Sequence, residues 1–226
     1  MFQMTRKIPI YLTVLIFSLI VPLSALAEDA NPQFENLVRI DDSQAAVAYV
    51  DPQADFSVFD SVMILDTYVA FRSGWQSDQR RGTRSNRVST RDMDRIKARV
   101  SELFNSVLID VLEEDDGLKV VSEANYNVLL VRAAIIDLDI TAPETMSANQ
   151  SRTFTADSGA ATLYIELFDS VSGQIIGRAF DRQAARNQGS MMRWTNRATN
   201  TADARRTFRG WATQLRGFLD SHYSDK

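Results

Sequence analysis

The sequence predicts an α+β domain in which a largely antiparallel sheet carries two helices packed on one face. The stretch 160–186 alternates apolar and polar side chains on both sides of a turn, which is typical of a β-hairpin. Two further stretches, starting near residues 90 and 201, repeat apolar residues at spacings of three and four, which is typical of helices. The resulting order is strand, helix, three or four strands, helix, and it indicates the α+β class.

The first 27 residues have the pattern of a secretory signal peptide. Two basic residues precede an apolar run, Ile10 to Val21, that is too short to cross a bilayer comfortably. Small residues follow at Ala25 and Ala27, and we expect a signal peptidase to cleave after Ala27. The alternative is an uncleaved membrane anchor. Cleavage would leave residues 28–226 as a single periplasmic domain with no transmembrane anchor.

Composition excludes several classes of function. The 226-residue chain has a net charge of −4, which makes it a poor candidate for nucleic-acid binding. It has no cysteine, so disulfides, thiolate metal sites and a lipid-modified N-terminal cysteine are excluded. His222 is the only histidine and lies close to the C-terminus. We therefore expect no histidine triad, no multi-histidine metal site and no cofactor.

The elements before the first helix are short. Residues 37–40 and 46–50 are candidates for short or edge strands within the segment 28–56. The stretch 61–71 predicts a better strand, because it is rich in β-branched residues. Residues 72–89 are polar and long for a connection. They form either a solvated loop or a cover over a binding site with Trp75 as its anchor.

The most clearly predicted helix starts at residue 90 and ends near Glu113. Ser89 or Thr90 can cap it, and Asp92 is favourable in its first turn. Gly117 is a plausible C-cap. One apolar stripe follows the helical period: Met93, Ile96, Val100, Leu103, Phe104, Val107, Leu108 and Val111.

The next strands, 118–122 and 126–140, precede the hairpin. Leu129, Val131, Ala133 and Ile135 are expected to face the helices. On the other face, Arg132, Glu166 and Arg178 are expected to form a row across three strands. If exposed, such a row contributes little stability.

The hairpin and a last helix complete the fold. The turn 169–173 ends on Gly173, which can adopt a positive φ. Polar loops are predicted at 141–157 and 187–200. Asn200 or Thr201 is expected to cap the final helix, whose apolar stripe is Ala204, Phe208, Trp211, Leu215, Phe218 and Leu219.

Several short motifs are fairly specific when taken together: Ala70-Phe71-Arg72 with Trp75, Asp137-Leu138, Ala142-Pro143-Glu144-Thr145-Met146, Arg152-Thr153, Asp169-Ser170-Val171-Ser172-Gly173, Asp181-Arg182 with Ala185-Arg186, and Trp194-Thr195-Asn196 with Asn200. Together they resemble a family of exported proteobacterial proteins known as domain of unknown function 3313. The resemblance covers roughly residues 37–219, and the family implies an envelope location without an established activity. Many of its members look like lipoproteins, whereas this chain lacks the cysteine that a lipid anchor needs.

Polar and aromatic residues in the predicted connections suggest a recognition surface for an envelope protein or glycan. Tryptophan faces stack on sugars and peptides, and Arg or Asn side chains supply directional hydrogen bonds. The alternative is structural, with the tryptophans closing the sheet ends and Asp181 holding loops in place. The candidate binding residues are Arg72, Trp75, Arg152, Asp181, Arg182, Trp194, Asn196 and Asn200.

An envelope hydrolase or cation-dependent enzyme is the competing hypothesis. Asp137 and Asp139 lie two residues apart on one strand, so both carboxylates would point to one face. Paired carboxylates serve acid–base chemistry or bind a divalent cation. Glu144 and Asp181 are further candidates for this chemistry. The hypothesis requires these groups to converge in a pocket with strongly shifted pKa values.

Overall fold

Ten strands and three helices form the described part of the chain. The computed structural model describes residues 36–41, 43–79, 88–140, 154–155, 159–184, 193–194 and 197–223. All of them belong to the compact unit Gln33–Lys226. The predicted signal peptide lies outside the described residues. The elements are β1 (Val38–Ile40), β2 (Val47–Val50), β3 (Ser61–Ile64), β4 (Tyr68–Phe71), α1 (Trp75–Gln79), α2 (Thr90–Glu113), β5 (Lys119–Val120), β6 (Val128–Ile140), β7 (Phe154–Thr155), β8 (Gly159–Asp169), β9 (Ile175–Ala184), β10 (Arg193–Trp194) and α3 (Arg197–Tyr223).

Eight strands form one mixed sheet, and the α+β class is confirmed. The order is β1-β2-β9-β8-β6-β3-β5, with β4 also paired to β6. The pairs from β1 to β6 are antiparallel, whereas β3 and β4 run parallel to β6, and β3 runs parallel to β5. The parallel part was not predicted. It exists because α2 carries the chain back to the starting end of the sheet before β5 and β6 begin.

The predicted strand 61–71 is two strands. The chain leaves the sheet after Ile64, and the hydroxyl of Thr67 donates to Asn105 Oδ1 in α2 at 2.6 Å. β3 and β4 therefore pair one after the other along the same edge of β6. This division aligns Tyr68 with Ala134.

One apolar core lies between the sheet and the two long helices. The predicted core residues of β6 are buried in it together with Leu163, Ile165 and Leu167 of β8. Phe104 of α2 and Phe208 of α3 meet edge to face, with ring centroids 5.3 Å apart. The predicted capping residue Ser89 accepts a hydrogen bond from the amide of Asp92 at 3.2 Å. Both helices thus pack on one face, and the opposite face is called the outer face below.

Three of the predicted connections contain regular structure, and the first of them, 72–89, contains α1. β7 and β10 pair as a separate two-stranded sheet, in which Trp194 lies opposite Phe154. α3 begins at Arg197, three residues before the predicted cap at Asn200. Trp194 and Asn200 therefore belong to elements rather than loops. The predicted turn is confirmed, because Gly173 has φ 69° and donates to the carbonyl of Asp169 at 2.9 Å.

Candidate functional site

Trp75 lies in α1 and is buried, with 1% of its surface exposed. Its ring stacks on Phe71 with centroids 4.0 Å apart, and its indole N–H donates to the carbonyl of Ile140 at 2.8 Å. This is the geometry of the structural alternative, a residue that closes the end of the sheet, rather than of a loop residue presented to a ligand. The apolar side chains that pack around it are Val88, Met93, Ile96 and Ile140.

Arg72, directly after β4, forms salt bridges to α1 and to β6. Its Nη1 lies 2.7 Å from Asp78 Oδ2 in α1, and its Nε lies 2.7 Å from Asp139 Oδ2 in β6. Hydrogen bonds to Asp78 and Asp139 raise the pKa of the Arg72 guanidinium. These contacts orient α1 beside the sheet and thereby help to place Trp75.

The carboxylates proposed for catalysis do not converge among the described residues. Asp137 has φ 51° and lies in a β-bulge, which interrupts the alternation behind the same-face prediction. Asp139 binds Arg72 on the β4 side, whereas Asp137 lies 3.9 Å from Arg182 on the β9 side. Glu144 lies outside the described residues. Among the residues that the structure describes, no group of three acidic or histidine side chains could hold a metal ion.

Asp181 lies on the core face and connects three segments. Its Oδ2 accepts from the indole N–H of Trp211 in α3 at 2.7 Å and from Gln183 at 2.7 Å. Its Oδ1 accepts from the amide of Ala46, just before β2, at 3.3 Å. The structural alternative predicted that Asp181 bridges arginines, but its partners here are a tryptophan, an amide side chain and a backbone N–H. On these contacts Asp181 fastens α3 to the sheet.

We expect Asp181→Ala to lower the free energy of unfolding by about 2–3 kcal/mol, because it leaves the buried indole N–H of Trp211 without an acceptor. Urea denaturation measures the change. Asp110→Ala, which removes an exposed carboxylate on α2, is the matched control and should stay within about 0.5 kcal/mol of the native chain. Equal effects of the two substitutions would contradict a fastening role for Asp181.

Arg182 is the predicted binding residue that the described structure presents to solvent on the outer face. Its side chain is 59% exposed, and its Nη1 donates to Thr162 Oγ1 at 3.1 Å. Arg152 and Asn196 lie outside the described residues, and the structure gives only the backbone position of Trp194 and Asn200. The described structure therefore separates Trp75 and Asp181, which are internal, from Arg182, which is external.

A buried glutamate organises the outer face beside Arg182. The predicted row across three strands is present, since Arg132, Glu166 and Arg178 lie directly opposite one another. Only 2% of the Glu166 side chain is exposed, so the row is buried at its centre, whereas Arg132 at one end is 56% exposed. Arg178 Nη2 lies 3.0 Å from Glu166 Oε1, Arg132 Nε lies 2.8 Å from Oε2, and the Tyr164 hydroxyl donates to Oε1. All the carboxylate's partners thus come from side chains of the sheet itself.

Two guanidinium groups of this row also cover aromatic rings. Arg132 Cζ lies 4.8 Å from the ring centroid of Phe168, and Arg178 Cζ lies 5.5 Å from that of Tyr164. Phe180 packs against Tyr164 with centroids 4.7 Å apart. Because each long side chain contacts both a carboxylate and a ring, this part of the outer face is ordered by its own contacts.

The Tyr164 hydroxyl should make stability fall at alkaline pH. Burial and the hydrogen bond to Glu166 raise the pKa of Tyr164 from 10.0 to about 12. In the unfolded chain this phenol ionises near pH 10, whereas in the folded chain it keeps its proton until about pH 12. The stabilisation is therefore complete below pH 10 and is lost as pH rises to about 12.

Comparing the native chain with Tyr164→Phe tests this expectation. The difference in their free energies of unfolding should shrink between pH 9 and pH 12, because only the native chain has this phenol. The difference in absorbance at 295 nm between the two proteins should follow the ionisation of Tyr164, because the other tyrosines are common to both. A difference that is constant across this range would contradict the raised pKa.

Tyr68, Ala134 and Tyr164 form a second row on the outer face, which the site prediction missed. Tyr68 lies opposite Ala134, and Ala134 lies opposite Tyr164. Tyr68 is 64% exposed. Ala134 is much smaller than the tyrosines on either side of it, and these three residues are called the tyrosine trough below. The trough depends on the parallel pairing of β4 with β6, and apart from the alternation in each strand no local sequence pattern indicates it.

Solved structures from several bacteria are similar to this chain over most of its length. The protein XCC0632 from Xanthomonas campestris is 13% identical, with a TM-score of 0.42 over 75% of this chain and 90% of that one. The hypothetical protein CT253 from Chlamydia trachomatis is 10% identical, with a TM-score of 0.38 over 71% and 98%. A PelC dodecamer from Paraburkholderia phytofirmans is 8% identical, with a TM-score of 0.37 over 70% and 89%. Identities and TM-scores this low carry no argument about function.

Sequence comparison identifies the family. No curated protein matches the chain. In the part that the structure describes, no helix has the length and apolar character needed to span a bilayer. The family model described as "Protein of unknown function (DUF3313)" matches residues 28–215. The chain therefore belongs to this family.

Proposed function

We propose that this protein is a non-enzymatic interaction module of the bacterial envelope. It is exported through cleavage after Ala27, resides in the periplasm and binds another envelope component, a protein or a glycan. Protein isolated from the periplasmic fraction should then begin at Glu28, which N-terminal sequencing measures.

The observation that carries the proposal is the outer face of the sheet. The two long helices pack on the other face, while Tyr68, Arg132 and Arg182 are more than half exposed on this one. Exposed tyrosine and arginine side chains are typical of recognition surfaces. Arg182 belongs to the recognition set predicted from the sequence. Arg152, Trp194, Asn196 and Asn200 remain predicted binding residues of that set.

The arrangement of the acidic side chains favours binding over catalysis. Asp137, Asp139 and Glu166 each lie within 4 Å of an arginine, and Asp181 accepts the indole N–H of Trp211. A general acid or base needs a carboxyl group that can reach a substrate. These four carboxylates instead bind other side chains of the domain.

Photocrosslinking in the cell tests the proposal. A photoreactive phenylalanine analogue replaces Tyr68 on the outer face, and the same analogue replaces the exposed Ala98 on α2 as the matched control. We expect a discrete adduct from position 68 that is absent from position 98. Absence of an adduct from position 68 in the folded, exported protein, or the same adducts from both positions, would overturn the proposal.

A further inference from the structure

The tyrosine trough has the dimensions of a site for a flat ring. Tyr68 and Tyr164 lie on strands on either side of β6, so their Cα atoms are about 10 Å apart. Ala134 forms the floor between them and takes up little of this space. Phe180 supports Tyr164 from the far side. Two aromatic walls above a small floor suit a sugar ring, whose C–H faces pack against aromatic rings.

Arginines lie beyond both ends of this trough. Arg132 is two residues before Ala134 on β6 and is 56% exposed, and Arg182 follows Phe180 by two residues on β9. Strand geometry puts the Cα atoms of the two arginines about 16 Å apart. A ligand that reaches both arginines and also fills the trough must be an oligomer rather than a single sugar.

Glu166 holds the Arg132 guanidinium in a position from which it can bind an anion. It accepts from Nε and Nη2 of Arg132, so the guanidinium is fixed in place while Nη1 makes no bond to the residues that the structure describes. Arg182 is held more loosely, by Thr162 and by Asp137 at 3.9 Å. A carboxylate is a planar acceptor that matches guanidinium donors.

The sheet face disfavours a peptide as the ligand. β6 and β8 are interior strands, with neighbours along both edges. Their backbone N–H and C=O groups are therefore used within the sheet, so a peptide lying over the trough could not pair with them. In the described sheet β4 pairs only with β6, and a peptide added at the far edge of β4 would lie beside the trough rather than in it. An oligosaccharide requires only side-chain donors and ring faces, which this surface has.

From this geometry we infer that the outer face binds an acidic oligosaccharide, a chain of sugars carrying carboxylates. Its rings pack against Tyr68 and Tyr164, and its carboxylates accept hydrogen bonds from Arg132 and Arg182. This inference rests on the proposed function and adds the chemical class of the ligand and the residues that hold it.

Calorimetric titration of residues 28–226 with tetragalacturonate tests the inference. Its fully methyl-esterified form keeps the rings and removes the charges, and tetraglutamate keeps the charges and removes the rings. We expect tetragalacturonate to bind at least tenfold more tightly than either. Tyr68→Ala and Arg182→Gln should each weaken binding at least tenfold, because both side chains are exposed and their loss should leave the fold intact.

Arg205→Gln is the matched control, since it removes an equally exposed positive charge from α3 and should leave binding unchanged. Absence of tetragalacturonate binding, equal loss of binding in the control, or tetraglutamate binding as tightly would overturn the inference. If the crosslinked adduct at position 68 is present in these cases, the ligand class is wrong and the interaction module stands. If that adduct is absent as well, both proposals fail.

Discussion

Glu166→Ala is expected to lower the free energy of unfolding by about 3 kcal/mol. The substitution leaves Arg132, Arg178 and the Tyr164 hydroxyl without the carboxylate to which all three bind. Removing one partner of a buried ion pair costs about 3–5 kcal/mol. We expect the low end of that range, because Arg132 is half exposed and water can replace part of its interaction. Guanidinium chloride denaturation at neutral pH measures the change.

A second substitution separates the charge of Glu166 from its shape, and a third, at an exposed acid, is the control. Glu166→Gln keeps an acceptor oxygen for Tyr164 and should cost less than Glu166→Ala, about 1–2 kcal/mol. Glu102→Ala removes an exposed acid from α2 and should change stability by less than about 0.5 kcal/mol. If Glu166→Ala behaves like Glu102→Ala, the buried cluster makes no net contribution to stability.

The Glu166 carboxylate should also make the free energy of unfolding fall at acid pH. Burial alone would raise the pKa of Glu166, but hydrogen bonds from Tyr164 and Arg132 and the arginine charges outweigh it, so the pKa lies below 4.5. The folded chain therefore keeps the charge at pH values where the unfolded chain takes up a proton. The stabilisation is present above pH 4.5 and is lost as pH falls below it. Glu166→Gln should lack this loss.

Local periodicity was enough to predict much of the fold and this charged row. In β8 the period of two separates Leu163, Ile165 and Leu167 from Tyr164 and Glu166, and the structure confirms that separation. The turn at Gly173 pairs Phe168 with Ile175, and a β-bulge between Leu167 and Phe168 then shifts the register by one residue, which puts Arg178 opposite Glu166. The alternation and the turn depend only on neighbouring residues, so the sequence contains them, whereas the bulge has no such local pattern.

Features that depend on distant residues could not be predicted in this way. Trp75 is buried because the carbonyl of Ile140, 65 residues away, accepts its indole N–H. The bulge at Asp137 adds one residue to β6, and no local pattern marks it. The tyrosine trough requires β4 to lie parallel to β6, which is decided by packing across the whole sheet. The candidate site was therefore less predictable than the fold that supports it.

Gly117→Ala should be one of the most damaging small substitutions in the described domain. A Cβ at position 117 would lie 2.2 Å from the carbonyl oxygen of Leu112 and 2.0 Å from Arg216 Nη1. The first of these atoms is backbone and cannot move without distorting the end of α2. Gly117 is a C-cap, as predicted: it caps the 3₁₀ turn Glu114–Asp116 that follows α2, and its N–H donates to the carbonyl of Glu114. Its φ is −68°, so the structure requires its small size rather than a positive φ.

The crowding at Gly117 follows from how α2 ends. Four acidic residues, 113–116, lie at the helix C-terminus, where the helix dipole disfavours them. Arg216 of α3 compensates, because its Nη1 donates to the carbonyls of Leu112 and Glu114 at 2.9 Å each and to that of Val111 at 3.3 Å. A side chain at position 117 would displace this guanidinium from the three carbonyls, which would then lack their helix-end partner.

We therefore expect Gly117→Ala to lower the free energy of unfolding by about 3 kcal/mol and the melting temperature by roughly 6–12 °C. Gly210→Ala is the matched control: no atom lies within 4 Å of a Cβ there, and alanine in the interior of α3 should raise stability by about 0.5–1 kcal/mol. Similar effects of the two substitutions would contradict the steric argument. In an Arg216→Ala background, the cost of Gly117→Ala should fall but not vanish, because the clash with the Leu112 carbonyl remains. A cost that is unchanged in that background would mean that displacement of Arg216 contributes nothing, and that the backbone contact alone accounts for the loss.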